Sequence, residues 1–148
     1  MSHLDLTAKL LLSILFGGII GMERESVKRP AGFRTHILVC IGSTLSMLVS
    51  LYMFDLFEGK MNVDPARIAA QVINGIGFLG AGTIIRDGAT VRGLTTAASL
   101  WTVAAIGLGI GSGFYFAAAL TTFLTFVTLL TFSKLEGRIL KNSHLHEV

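Results

Sequence analysis

Five times along this chain, apolar residues run for about twenty positions with almost no charge among them. A helix needs about 20 such residues to cross the ~30 Å hydrocarbon core of a bilayer. In lipid there is no water to satisfy backbone N–H and C=O groups, so each run must satisfy its own, as α-helix. The runs predict an all-α, polytopic transmembrane helix bundle of about five spans, at residues 4–22, 33–54, 65–85, 95–113 and 114–132. The transmembrane domain then fills residues 1–133, with a charged cytoplasmic tail over 134–148. Composition agrees: 14% of residues are charged, where a soluble domain carries about 25%.

Local signals set the boundaries. The first run ends at Glu23-Arg24-Glu25-Ser26-Val27-Lys28-Arg29. A cleaved signal peptide carries its positive charge ahead of the apolar stretch; here only Lys9 precedes and Arg24, Lys28, Arg29 and Arg34 follow, which predicts a retained helix. Pro30-Ala31-Gly32 makes a turn into the second span, and a polar loop with Asp55, Glu58, Lys60 and Asn62 follows it. Asp64-Pro65 opens the third span, since Asp caps free amides and Pro suits the first helical position. That span stops at the turn Arg86-Asp87-Gly88, and Thr95-Thr96 supply capping hydroxyls to the fourth. With five spans, nine Lys and Arg residues fall on the side of Arg24, Arg86 and the tail, against Lys9, Lys60 and Arg67 on the other. Basic residues resist translocation, so the N-terminus is expected outside and the C-terminus in the cytoplasm.

Helices in lipid are held by close backbone contact and dispersion. Small residues four apart permit that contact: Gly17 and Gly21 on the first span, Gly77 and Ala81 on the third among Gly75, Gly80 and Gly82, and Ala105, Gly109 and Gly113, or Gly107 and Gly111, on the fourth. Polar side chains at membrane depth face protein or water. Arg67, Gln71 and Asn74 share one face of the third helix, with Asn74 about 15 Å along the axis from Asp64. Two readings compete, structural hydrogen bonding between helices or a path for an ion or proton. A span without a carboxylate past Asp64 favours the first. Glu23, Arg24, Arg34 and His36 cluster at the ends of the first two spans, where an ion pair between Glu23 and Arg34 would lock the turn. A docking surface for another membrane protein is the functional alternative.

Other chemistry finds little support. No basic run is interleaved with aromatics, so the formal charge of +3 does not point to nucleic acid. Cys40 is the only cysteine, which excludes an intrachain disulfide and CxxC motifs. Asp55, Glu58 and Asp64 have the oxygen ligands a hard cation prefers, but a solvated loop explains them as well, and metal binding by His144 and His146 is not expected. Thr121, Thr125 and Thr128 form a mild polar stripe on the fifth span, bonding back to their own helix. No Ser-His-Asp, Cys-His, Walker or HExxH arrangement occurs. The sequence predicts no catalytic residue, no cofactor and no resident metal.

Three blocks carry a resemblance. They are Gly17-Gly18-Ile19-Ile20-Gly21-Met22-Glu23-Arg24-Glu25 with Arg29-Pro30-Ala31-Gly32-Phe33-Arg34-Thr35-His36; Asp64-Pro65-Ala66-Arg67-Ile68-Ala69-Ala70-Gln71 continuing to Gly75-Ile76-Gly77-Phe78-Leu79-Gly80-Ala81-Gly82; and Val91-Arg92-Gly93-Leu94-Thr95-Thr96-Ala97-Ala98-Ser99-Leu100-Trp101. In order and over roughly residues 10–113, this pattern resembles the N-terminal domain of the MgtC/SapB family. The resemblance implies a bacterial inner-membrane protein linked to growth at low magnesium and, in pathogens, to virulence. It also implies regulation of another membrane protein, the ATP synthase among them, with a magnesium or other cation transporter as the alternative. The resemblance implies that fuller members carry a soluble ACT-like C-terminal domain beyond the stretch matched here. The 148 residues stop soon after the fifth span, as expected of a short member or of a piece of a longer one. The partners expected are therefore the bilayer, another integral membrane protein, or a second copy of the chain.

Overall fold

The computed structural model describes residues 2–58 and 62–143, with side chains through Thr131. Lys60, His144 and His146 lie outside the described residues, as do the side chains of Lys134, Arg138 and Lys141. Five helices follow in order: α1 (His3–Ser26), α2 (Phe33–Phe57), α3 (Ala66–Ala81), α4 (Leu94–Gly111) and α5 (Tyr115–Ser143). Of these, α1, α2 and α4 are long and apolar enough to cross a membrane. The third is shorter, with 16 residues, or about 24 Å at ~1.5 Å per residue. The fifth helix continues past the expected end of its span, into the charged tail.

The start of each helix has a physical cause. Ser2 accepts from the Asp5 amide at 3.1 Å, and Asp5 places a negative charge in the positive first turn of α1. Gly32 gives α2 no capping side chain, but Glu25, eight residues back, accepts from the Phe33 amide at 3.0 Å. A Cβ on Gly32 would overlap that carboxylate. Asp64 accepts from the Ala66 amide at 2.8 Å, as the sequence predicts for α3.

The entry to α4 differs from expectation. Its cap is Gly93, not Thr95-Thr96, and Gly93 has φ +91°. A side chain there would meet the Thr83 carbonyl as well as being strained. This glycine ends a two-stranded antiparallel hairpin, β1 (Ile85–Asp87) and β2 (Thr90–Arg92), which pairs Ile85 with Arg92 and Asp87 with Thr90. A plain turn was expected here; Gly88, at φ +59°, lets the chain reverse tightly enough for the strands to pair.

The α2 helix is gripped on two sides by glycine. A Cβ on Gly17 would lie 2.9 Å from the Cys40 Cβ and the His36 carbonyl oxygen, and one on Gly21 would lie 2.8 Å from the Phe33 Cα. From α4, Gly107 and Gly111 press on α2 in the same way, at 2.5 Å from the Cys40 oxygen and 2.6 Å from the Met47 Cβ. At this close approach the Thr44 hydroxyl donates to the Gly107 carbonyl at 2.9 Å. Around this centre α4 packs on all four other helices, while α3, among the described residues, packs mainly on α4 and α2.

The packing expected of α3 needs correction. A Cβ on Gly75 or Gly77 would meet nothing within 4 Å, and Ala81 is exposed. Gly82 faces carbonyls of its own helix, and Gly80 and Gly109 make ordinary contacts with Ala97 and Ala118 at 3.4 and 3.6 Å. The reason is rotational: α3 meets the bundle through Val72, Ile76 and Gly80, at i, i+4 and i+8, which turns Gly77 outward.

The distribution of side chains is that of a membrane protein. Ser13, Ser43, Thr44, Ser50, Thr96 and Thr122 are buried, while Phe78 and Phe116 are 84% and 79% exposed. Lipid solvates the large apolar groups, and the interior satisfies the hydroxyls.

Candidate functional site: a buried polar junction

Where α1 ends and α2 begins, Glu23, Arg24 and His36 lie in the interior with relative exposures of 5%, 2% and 0%. Burial of two charges and an imidazole in so apolar a bundle needs compensation. Gly21 allows it sterically, since a side chain there would push on the His36 Cβ. The His36 ring spans two helices: Nδ1 lies 2.8 Å from the Gly32 carbonyl oxygen and Nε2 lies 2.9 Å from the Ser99 hydroxyl of α4. Ser99 in turn lies 2.8 Å from the Thr96 carbonyl oxygen.

The ion pair differs from the one expected. Arg24 Nε donates to Glu23 Oε2, and Arg34 is exposed. Arg34 stands in the first turn of α2, where it lines an outer groove with Met22 and Glu25 instead of entering the junction. The other carboxylate oxygen, Glu23 Oε1, is buried without a hydrogen-bond partner. An orphaned buried acceptor costs about 1–3 kcal/mol, and more when charged. This is the one buried polar side-chain atom so left among the described residues.

The remaining candidates lie elsewhere. Arg67, Gln71 and Asn74 are all exposed on the outer face of α3, so among the described residues they neither bond to a neighbouring helix nor line an interior path. Asp64 is exposed and serves its helix start, and Arg92 is exposed on β2. Thr95 is exposed at the mouth of a cleft between α4 and α5. Among the described residues, no three His, Cys, Asp or Glu side chains come together as a metal site. At the far end of the bundle, buried Lys9 donates to the Gly111 carbonyl at 3.2 Å and pairs with Asp5 at 3.4 Å, neutralising the C-terminus of α4.

Sequence reasoning missed Ser99 and Lys9. Thr96 and Ser99 form a hydroxyl pair at i, i+3 inside an apolar span, which places both on one helical face; that spacing was the available signal. For Lys9, a charge inside an apolar run was visible, but its partner is 102 residues away.

An inside-out helix bundle with apolar helices long enough to span a bilayer and a buried polar junction at one end defines a polytopic membrane protein. Comparison gives the family. A family profile described as the MgtC family matches residues 10–138. The Escherichia coli K12 protein named "Putative magnesium transporter YhiD" is 45% identical over 140 residues, covering 93% of this chain and 65% of the relative. Protein SapB of Bacillus subtilis is 40% identical over 75% of this chain and 49% of its own length. Protein MgtC of Brucella abortus is 46% identical over 74% of this chain and 44% of its own. This chain belongs to the MgtC family, and it spans about half to two thirds of the length of these relatives. No solved structure matches it.

Proposed function

We propose that this chain is a non-enzymatic regulator in the bacterial inner membrane that binds another integral membrane protein through the outer face of α3. The observation that carries this reading is the outward stripe of Arg67, Gln71 and Asn74, with exposed Ala70, Gly77 and Ala81 beside it. Amides turned towards lipid gain hydrogen bonds only when a partner helix covers them, and small residues let its backbone approach. The family resemblance supplies the context of adaptation to low magnesium and of virulence, and the name of the YhiD relative mentions magnesium. The ATP synthase is one such partner under that resemblance. Five crossings with the N-terminus outside and the C-terminus in the cytoplasm complete the proposal, on the split of basic residues.

A cation transporter is the second reading, favoured by the name of the YhiD relative. One pair of measurements separates the two. Tagged chain purified from membranes should bring down a membrane protein, and Asn74→Leu with Gln71→Leu should release it. The chain reconstituted in vesicles should pass no magnesium above empty vesicles, because an ion that sheds water needs a dense set of oxygen ligands. A saturable, Asn74-dependent magnesium flux would replace the regulator with the transporter. Recovery of a second copy of the chain alone would make the α3 face a self-association surface.

A further inference from the structure

A cleft of about 310 Å³ opens between α4 and α5. Six hydroxyl-bearing residues line it: Thr95, Ser99 and Thr102 from α4, and Thr121, Thr125 and Thr128 from α5. They are graded by depth. Thr95 and Thr128 are exposed at the mouth, Thr102, Thr121 and Thr125 are half-buried, and Ser99 is buried. On its far side, the Ser99 hydroxyl contacts His36 Nε2. We propose that this cleft holds water and delivers protons through Ser99 to His36, a proton-binding site whose ring is itself fully buried.

The hydrogen bonds support this without any movement of heavy atoms. The Gly32 carbonyl only accepts, so His36 Nδ1 carries a hydrogen and donates to it at 2.8 Å. With neutral His36, Nε2 is an acceptor, and the Ser99 hydroxyl donates to it. With protonated His36, Nε2–H donates to Ser99, whose own hydrogen turns to the Thr96 carbonyl oxygen, 2.8 Å away. Rotation of one hydroxyl therefore serves both states, and neither leaves a ring nitrogen unpaired. The cleft has room for several waters among Ala98, Leu124 and Leu129, and its hydroxyls, of which Thr102 and Thr128 already donate to their own helix, can each accept a further hydrogen bond.

The charged groups near His36 come from α1, the paired Glu23 and Arg24. From α4 it meets the neutral Ser99. On its own helix Arg34 is exposed and Cys40 is a buried thiol one turn on, and the one charge of α3, Arg67, is exposed at the opposite end of that helix.

Two measurements on the whole chain in detergent or vesicles test the proposal. Thr125→Cys should react with a charged methanethiosulfonate roughly tenfold faster than Phe123→Cys, because the reaction needs a thiolate and hence water; wild type, with only buried Cys40, is the blank. Equal rates would overturn the water-filled cleft. Hydrogen–deuterium exchange at the His36 ring carbon, followed by mass spectrometry, should proceed and titrate with pH although the ring is 0% exposed. Attaching the reagent to Thr125→Cys in the already folded protein should then slow His36 exchange several-fold while His3 stays unchanged. Absent exchange in the wild type, or exchange indifferent to the plug, would overturn the proton route.

Discussion

His36 Nε2 and Ser99 Oγ, 63 residues apart in sequence and 2.9 Å apart in space, tie α2 to α4 inside an apolar bundle. Loss of one partner strands the other. Ser99→Ala should therefore lower stability by about 1–3 kcal/mol, the cost of an unsatisfied buried polar group. Ser46→Ala, whose hydroxyl bonds only back to its own helix at Gly42, should cost far less. Thermal unfolding in detergent reads both.

The two glycine faces make opposite predictions. Gly17→Leu and Gly107→Leu force α2 away from its neighbours, whose atoms already lie at 2.9 and 2.5 Å from the added Cβ. Overpacking of this kind costs about 1–3 kcal/mol or more. Gly77→Leu meets nothing within 4 Å and should leave the melting temperature of the isolated chain unchanged. Its effect should appear in recovery of a partner from membranes. A Gly77→Leu chain that melts like Gly107→Leu would place α3 in a different rotation.

Glu23 should couple to Arg24 and not to Arg34. Removing one member of a buried ion pair costs about 3–5 kcal/mol. An exposed pair is worth under about 1 kcal/mol. Double-mutant cycles for Glu23→Gln with Arg24→Gln and with Arg34→Gln, read by unfolding, distinguish the two. A larger coupling with Arg34 would contradict the junction.

Topology is open to direct measurement. Reporters fused after Glu58, Gly88 and Val148 should report outside, cytoplasm and cytoplasm. An external reporter at Val148 would remove one crossing and the five-span proposal with it.

The helical elements were legible because apolar runs and the Asp64-Pro65 start are local features. Glycine pairs at 17 and 21 and at 107 and 111 were legible for the same reason. The rotation of α3 was not, because glycine spacing shows that a helix can be approached closely and leaves open from which side. The junction was half legible: Glu23, Arg24 and His36 cluster in sequence, but their closure by Ser99 depends on how α4 packs. The Glu23–Arg34 pairing failed because Arg34 sits at the mouth of α2, where the surface is nearer than the buried carboxylate.

Because α4 packs on all four other helices, the order in which the ribosome delivers them matters. Chains are made from the N-terminus at about 5–20 residues per second. The α1–α2 hairpin, with its own glycine contacts, can assemble as soon as it enters the bilayer. The third helix then lacks its main neighbour, with Ile76 and Gly80 uncovered, until α4 is synthesised and closes the bundle. For those seconds α3 is the segment that an insertion factor or chaperone would have to hold.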